Sequence, residues 1–94
     1  MANCVIRVEL HNARSSELYS RLHQLLAKYG ISDSIVSSNG KRYKLPPAEY
    51  YYSGDSSRDA VLTASKQCAA SVDNSYAVMV SDTNSVTWEG LKQI

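Results

Sequence analysis

A chain of 94 residues sets a single domain, residues 1–94, with one modest core and little room for a deep internal pocket. Ten Lys and Arg against nine Asp and Glu leave a net charge of +1, so there is no general electrostatic case for nucleic-acid or membrane binding, and any such case must rest on a local patch. No apolar run approaches the roughly 20 residues that a membrane span needs, the start MANCVIRVEL alternates apolar and charged residues unlike a signal peptide, and Cys4 and Cys68 fall on apolar faces as reduced core thiols, so a cytoplasmic protein with no membrane partner is expected.

Cys4 to Leu10 alternates. Cys4, Ile6, Val8 and Leu10 share one face and Val5, Arg7, Glu9 and His11 the other, the pattern of a half-buried strand. His11, Asn12, Ala13 and Arg14 then lead into the clearest helix, Ser15 to Gly30, whose apolar stripe is Leu18, Leu22, Leu25, Leu26 and Tyr29. Ser15 or Ser16 can cap its start, and Glu17 suits the first turn. Gly30 is a left-handed stop that lets Ile31 fold back onto the stripe. Arg21, His23, Gln24 and Lys28 occupy the remaining faces.

A short strand is expected around Ile35 and Val36, followed by the hairpin signal Asn39-Gly40 and a returning arm from Lys41 to Leu45. Pro46 and Pro47 stop ladder pairing on that edge, and Ala48 to Ser53 has strong strand propensity. Gly54-Asp55 reads as a turn, and Ser56 with Asp59 resembles a capping box for a second helix from about Ser57 to Val72. That helix carries Val61, Ala64, Cys68 and Val72 on one stripe and is alanine-rich, so it can sit close to a sheet. After Asp73-Asn74 comes a last clear strand, Tyr76 to Val80, and then a tail with Val86, Trp88 and Leu91, expected as a short extra strand or a helical turn closing one sheet edge. The order strand, helix, strand, strand, helix, strand predicts an α+β fold. It is a ferredoxin-like βαββαβ sandwich, with a four-stranded antiparallel sheet, two helices on one face and an extra C-terminal segment. The other sheet face, carrying Arg7 and Glu9, is left open for a partner, a second copy or RNA.

In order and spacing, three pieces of the chain resemble the GhoS-type antitoxins, the endoribonuclease antitoxins of type V toxin–antitoxin systems. They are VIRVEL ahead of a serine-led helix, SRLHQLL within that helix, and the block SIVSSNGKRYKLPPAEYYY; together they span roughly residues 4 to 83. The resemblance implies a ferredoxin-like fold, shared with small CRISPR-associated nucleases, and an antitoxin that cleaves the messenger RNA of a small membrane toxin. Arg21 matches the first basic position of the helix motif. His23 matches the second, where the family carries arginine, so an acid or base stands where a phosphate clamp is expected. Glu9 stands where the CRISPR-associated nucleases place a metal-binding aspartate.

Metal-free RNA cleavage needs a base, an acid and cations around the phosphorus. Arg21, His23 and His11 are the candidate catalytic residues. Arg21 and His23 lie about 160° apart on the helix, so one of them must work with sheet or loop residues such as His11. The plainer readings are a partly packed His23 and an ion pair between Arg21 and Glu17 four residues earlier. No cofactor motif and no metal-ligand set is present in the sequence, and neither is expected; a metal site would need Glu9 from each of two copies. Lys41, Arg42 and Lys44 flank Tyr43 in the concentrated basic patch, and cations with stackable rings suit single-stranded RNA. Lysines on a hairpin also simply block edge aggregation. The alternative function is a non-enzymatic protein-binding module, such as a phage- or plasmid-encoded inhibitor of a bacterial defence complex, docking a protein partner or a second copy through the sheet face or the Lys41–Tyr52 edge.

Overall fold

A computed structural model describes residues 2–12 and 16–94. The expected loop residues Ala13 and Arg14 and the candidate cap Ser15 lie outside the described residues. The elements in chain order are β1 (Ala2–Leu10), α1 (Ser16–Ala27), β2 (Ser34–Val36), β3 (Arg42–Lys44), β4 (Glu49–Gly54), α2 (Arg58–Val72) and β5 (Tyr76–Asp82). β1 is the central strand of an antiparallel sheet ordered β4-β1-β5, and β2 and β3 form a separate two-stranded hairpin. No helix among the described residues is long and apolar enough to cross a membrane.

The period-two pattern of β1 decides which face is covered. Cys4, Ile6, Val8 and Leu10 are all buried, and their cross-strand partners Tyr52 and Tyr50 on β4 and Val80, Val78 and Tyr76 on β5 share that face. Leu22 and Leu26 of α1 and Val61, Cys68 and Ala69 of α2 close the core from the same side. The opposite face keeps Arg7, Glu9 and Met79 exposed, with Arg7 paired to Glu49 at 3.3 Å. Cys4 and Cys68 are free, buried thiols, and burial pushes both above the ordinary thiol range. Ser65, wholly buried on α2, is satisfied within its own helix by donating to the Val61 carbonyl at 2.8 Å.

The helix ends follow from local chemistry. α1 stops where Gly30 takes φ +76°. The Ile31 N–H then reaches back to the Leu26 carbonyl at 3.1 Å and the Gly30 N–H to Ala27 at 3.1 Å, which is the Schellman closure with Ile31 buried over the last turn. α2 starts one residue later than the expected Ser56 box. Ser57 is the cap, and its side chain accepts from the Ala60 N–H at 3.2 Å. Ser56 instead donates its N–H to the Tyr52 hydroxyl at 3.0 Å.

The expected single four-stranded sheet does not form; a three-stranded sheet and a two-stranded hairpin stand in its place. The cause lies in the outward groups of β4. Glu49 turns its N–H into the Pro46 carbonyl at 3.1 Å, closing a tight turn through Pro47 and Ala48, the latter at φ +68°. Pro46 and Pro47 have no N–H to offer. Ser32 and Tyr51 exchange both backbone bonds, at 2.9 and 2.8 Å, but the next pair on that side would join Ser34 to Glu49, whose N–H Pro46 has taken, and the Ser34 N–H turns instead to the Ser32 hydroxyl at 3.1 Å. The chain therefore leaves β4 after one bridge and pairs with β3. The tail runs on to the outer side of β3, where Lys44 N–H bonds the Lys92 carbonyl at 2.9 Å and Ile94 N–H bonds the Arg42 carbonyl at 3.0 Å. It closes that edge with a bridge rather than a full strand.

Gly54 ends β4 against the Tyr52 ring. A Cβ there would stand 2.5 Å from the Tyr52 hydroxyl and 2.8 Å from its ring carbon. Gly54→Ala is expected to displace that ring, break its bond to Ser56 and cost about 1–3 kcal/mol in urea unfolding; Gly40→Ala, with open space around it, tests the contribution of the hairpin φ of +85° alone.

Candidate functional site

The β2–β3 hairpin is anchored to β4 by the Ser32–Tyr51 bridge, and the residue after that bridge, Asp33, faces His23 of α1. His23, in the middle of α1, sets the edge of its ring against Tyr50 of β4, with centroids 5.3 Å apart and planes at 70°. Its Nδ1 lies 3.6 Å from Asp33 Oδ2, and Lys44 Nζ lies 3.4 Å from that same oxygen. Arg42, two residues before Lys44 on β3, donates to the Ser34 hydroxyl at 2.6 Å, and Ser34 in turn meets the Ser32 hydroxyl at 3.0 Å. A histidine, a carboxylate and two cations from α1, the β2 approach and β3 are thereby gathered at one junction.

Burial is the largest influence on His23 and holds its imidazole below the ordinary value of about 6.5; the Asp33 carboxylate works against this and the Lys44 ammonium adds to it. His23 is therefore neutral at pH 7 and able to accept a proton. Tyr50, only 1% exposed, keeps its hydroxyl protonated at physiological pH, because burial, with Tyr19 and Asp33 nearby, pushes its ionisation up. Among the described residues the Tyr50 hydroxyl has no hydrogen-bond partner, a feature that ordinarily costs about 1–3 kcal/mol and so marks the place as unusual. Asp33 and Tyr50 were not singled out by the sequence. Tyr50 was legible only as one inward residue of a tyrosine run, and Asp33 as a polar residue after Gly30.

The remaining candidates are distributed elsewhere. Arg21 is exposed, and among the described residues it makes no ion pair, so the expected pairing with Glu17 is not formed. His11 does not join His23. Its Nδ1 lies 3.0 Å from the Ser75 hydroxyl and its Nε2 3.1 Å from Glu9, beside a knot in which Asn12 donates its N–H and side-chain amide to Asp73 at 2.8 and 2.9 Å. Those bonds, the Ser75 N–H foremost, hold the Asp73 carboxyl below its usual range. The basic patch is split by the strand's own alternation. Arg42 and Lys44 share the face of β3 toward Ser34 and Asp33, whereas Tyr43 points the other way onto Trp88, with centroids 5.5 Å apart. Lys41 sits in the hairpin turn, exposed, with its N–H on Asn39 and its carbonyl accepting from Ser37. Tyr43 and Trp88 line an open groove of about 430 Å³ with Ile35, Val36, Tyr51 and Val86.

The chemistry available at the junction is proton acceptance by His23 beside cations suited to an anionic ester. An NMR titration is expected to place the His23 midpoint below 6.5. Asp33→Asn should lower it further, since the carboxylate is the influence that raises it, and Lys44→Ala should raise it. A midpoint at or above 6.5 would contradict the buried setting. Because the folded value is the lower one, the folded state binds fewer protons. The corresponding contribution to stability is present above pH 6.5 and is lost as the pH falls through the folded value. Comparison with known proteins gives no family model that matches the chain and no curated protein significantly similar to it.

Proposed function

We propose that the protein is a cytoplasmic RNA-cleaving antitoxin of the GhoS type, and that it cuts single-stranded RNA where α1 meets the β2–β3 hairpin. The observation that carries this reading is His23 set 3.6 Å from Asp33, with Lys44 on the same carboxylate and Arg42 on the same face of β3. His23 takes the proton of a ribose 2′-hydroxyl. The 2′-oxygen attacks phosphorus, the bond to the 5′-oxygen breaks, and that oxygen leaves with a proton returned by the imidazolium. Lys44 and Arg42 offset the charge that builds on the phosphoryl oxygens. The sheet order β4-β1-β5 with both helices on one face agrees with three strands of a ferredoxin-like sandwich, which supports the same ancestry.

A second reading, the non-enzymatic protein-binding module, is favoured by one observation. Tyr43 is turned away from Arg42 and Lys44 and, with Trp88, lines a groove that has no cation among its lining residues, which suits a protein surface better than a nucleotide.

Purified protein given a mixed single-stranded RNA pool, with magnesium and with chelator, separates the two readings. Cleavage in both conditions, leaving 2′,3′-cyclic phosphate ends and falling about 100-fold or more in His23→Ala and strongly in Lys44→Ala, is the expected result. Folded protein that cuts no RNA, or cutting untouched by either substitution, would overturn the ribonuclease reading.

A further inference from the structure

The two edges of the strand system are treated differently. On the hairpin side, Lys41 in the turn precedes Arg42 and Lys44 of β3, the prolines follow, and the tail bonds over the outer groups of β3. On the other side β5 runs seven residues, YAVMVSD, with no proline, no lysine and a single charge at its last position. Hydrogen-bond parity shows which of its groups face outward. His11 N–H bonds the Ser75 carbonyl and Thr83 N–H bonds the Asn3 carbonyl, so Ala77, Met79 and Ser81 turn their backbone groups toward β1. Tyr76, Val78, Val80 and Asp82 turn theirs outward, and among the described residues nothing bonds to them. The side chains of Tyr76, Val78 and Val80 are half-buried, and Met79 is 63% exposed. A long, apolar, unprotected edge is what natural sheets avoid unless another strand covers it.

We infer that β5 pairs with β5 of a second copy of this chain, antiparallel about a two-fold axis at Met79. The strand is complementary to itself in that register. Met79 is its midpoint, so all seven residues find a partner. Val78 and Val80′ exchange both backbone bonds, as do Tyr76 and Asp82′ (primes mark the second copy). On the helix-facing side Val meets Val and the Tyr76 hydroxyl comes opposite the Asp82 carboxylate; on the open side Met79 meets Met79′ and Ala77 meets Ser81′. No like charges oppose one another. The two three-stranded sheets become one six-stranded sheet, and their open faces, each with Arg7 and Glu49, form one surface. His23 and the hairpin lie beyond the opposite edge, so the dimer and the proposed cleavage site stand or fall separately.

Light scattering and sedimentation across a concentration series test the pairing. The mass is expected to rise from 10.4 kDa toward twice that value. Met79→Glu, which sets two carboxylates against each other across the axis at an exposed position, should return the monomer with an unchanged circular dichroism spectrum. Met79→Cys should form a covalent dimer under mild oxidant, because opposed residues of a non-hydrogen-bonded pair sit about 4.5 Å apart, within disulfide reach. Val36→Cys, also at an apolar and exposed position but on the hairpin, should not. A single 10.4 kDa species at every concentration, an assembly that survives Met79→Glu, or equal cross-linking of the two cysteine variants would overturn the inference.

Discussion

Everything in this molecule is referred to β1. It is the strand paired on both sides, and its alternate residues Cys4, Ile6, Val8 and Leu10 are the floor on which both helices rest. Each large aliphatic side chain buried there contributes about 1.5–3 kcal/mol, and the two-sided ladder fixes its register so that no slip can exchange the buried face for the one bearing Arg7 and Glu9. β4 and β5 inherit their inward and outward residues from that register. Tyr50 is thereby sent beneath α1 to meet His23, and the outward groups of β5 are sent to an uncovered edge.

The site arises from the same ladder where it fails. One bridge, Ser32 to Tyr51, is all that joins β2 to β4 before Pro46, Pro47 and the Glu49 turn use up the remaining partners. The root of the hairpin stays beside β4, and there Asp33 comes within 3.6 Å of His23 on α1 with Lys44 on the same carboxylate. Two strand residues one apart then serve opposite purposes, Lys44 at the histidine and Tyr43 against Trp88. The Asp33 carboxylate lies between helix and hairpin, 3.6 Å from the imidazole of α1 and 3.4 Å from the Lys44 ammonium of the hairpin. These are partly exposed contacts, each worth well under about 1 kcal/mol to stability, so their weight is chemical rather than structural.

Much of the framework was legible because its signals are local. The leucine stripe of α1, the Gly30 stop with Ile31 folded over it, the Asn39-Gly40 hairpin and the alternation of β1 all depend on neighbours in sequence. The cap of α2 was misplaced by one residue because Ser56 and Ser57 are equivalent on paper, and only the Tyr52 hydroxyl claims the first of them. The broken sheet was not legible, although its cause was. Pro46 and Pro47 mark an end to pairing, but where the Glu49 and Ser34 N–H groups would turn depends on three-dimensional closure. The tail was hard to place for a similar reason, since Lys92 and Ile94 are held by the backbone of β3 rather than by any apolar pattern of their own. The site was half visible. His23 and Lys44 stood out by type, whereas Asp33 and the buried Tyr50 have no sequence periodicity that connects them to a helix.

The central claim is that the junction of α1 with the hairpin receives an RNA strand. The most direct measurement is an amide and side-chain NMR map of the isotope-labelled protein during titration with a short single-stranded RNA whose reactive 2′-hydroxyls are methylated, so that it binds without being cut. Shifts concentrated at His23, Asp33, Arg42 and Lys44, weakening with added salt, are the expected result. Shifts confined to the Tyr43–Trp88 groove or to the open face of β1 and β5, or no shifts at saturating RNA, would contradict it.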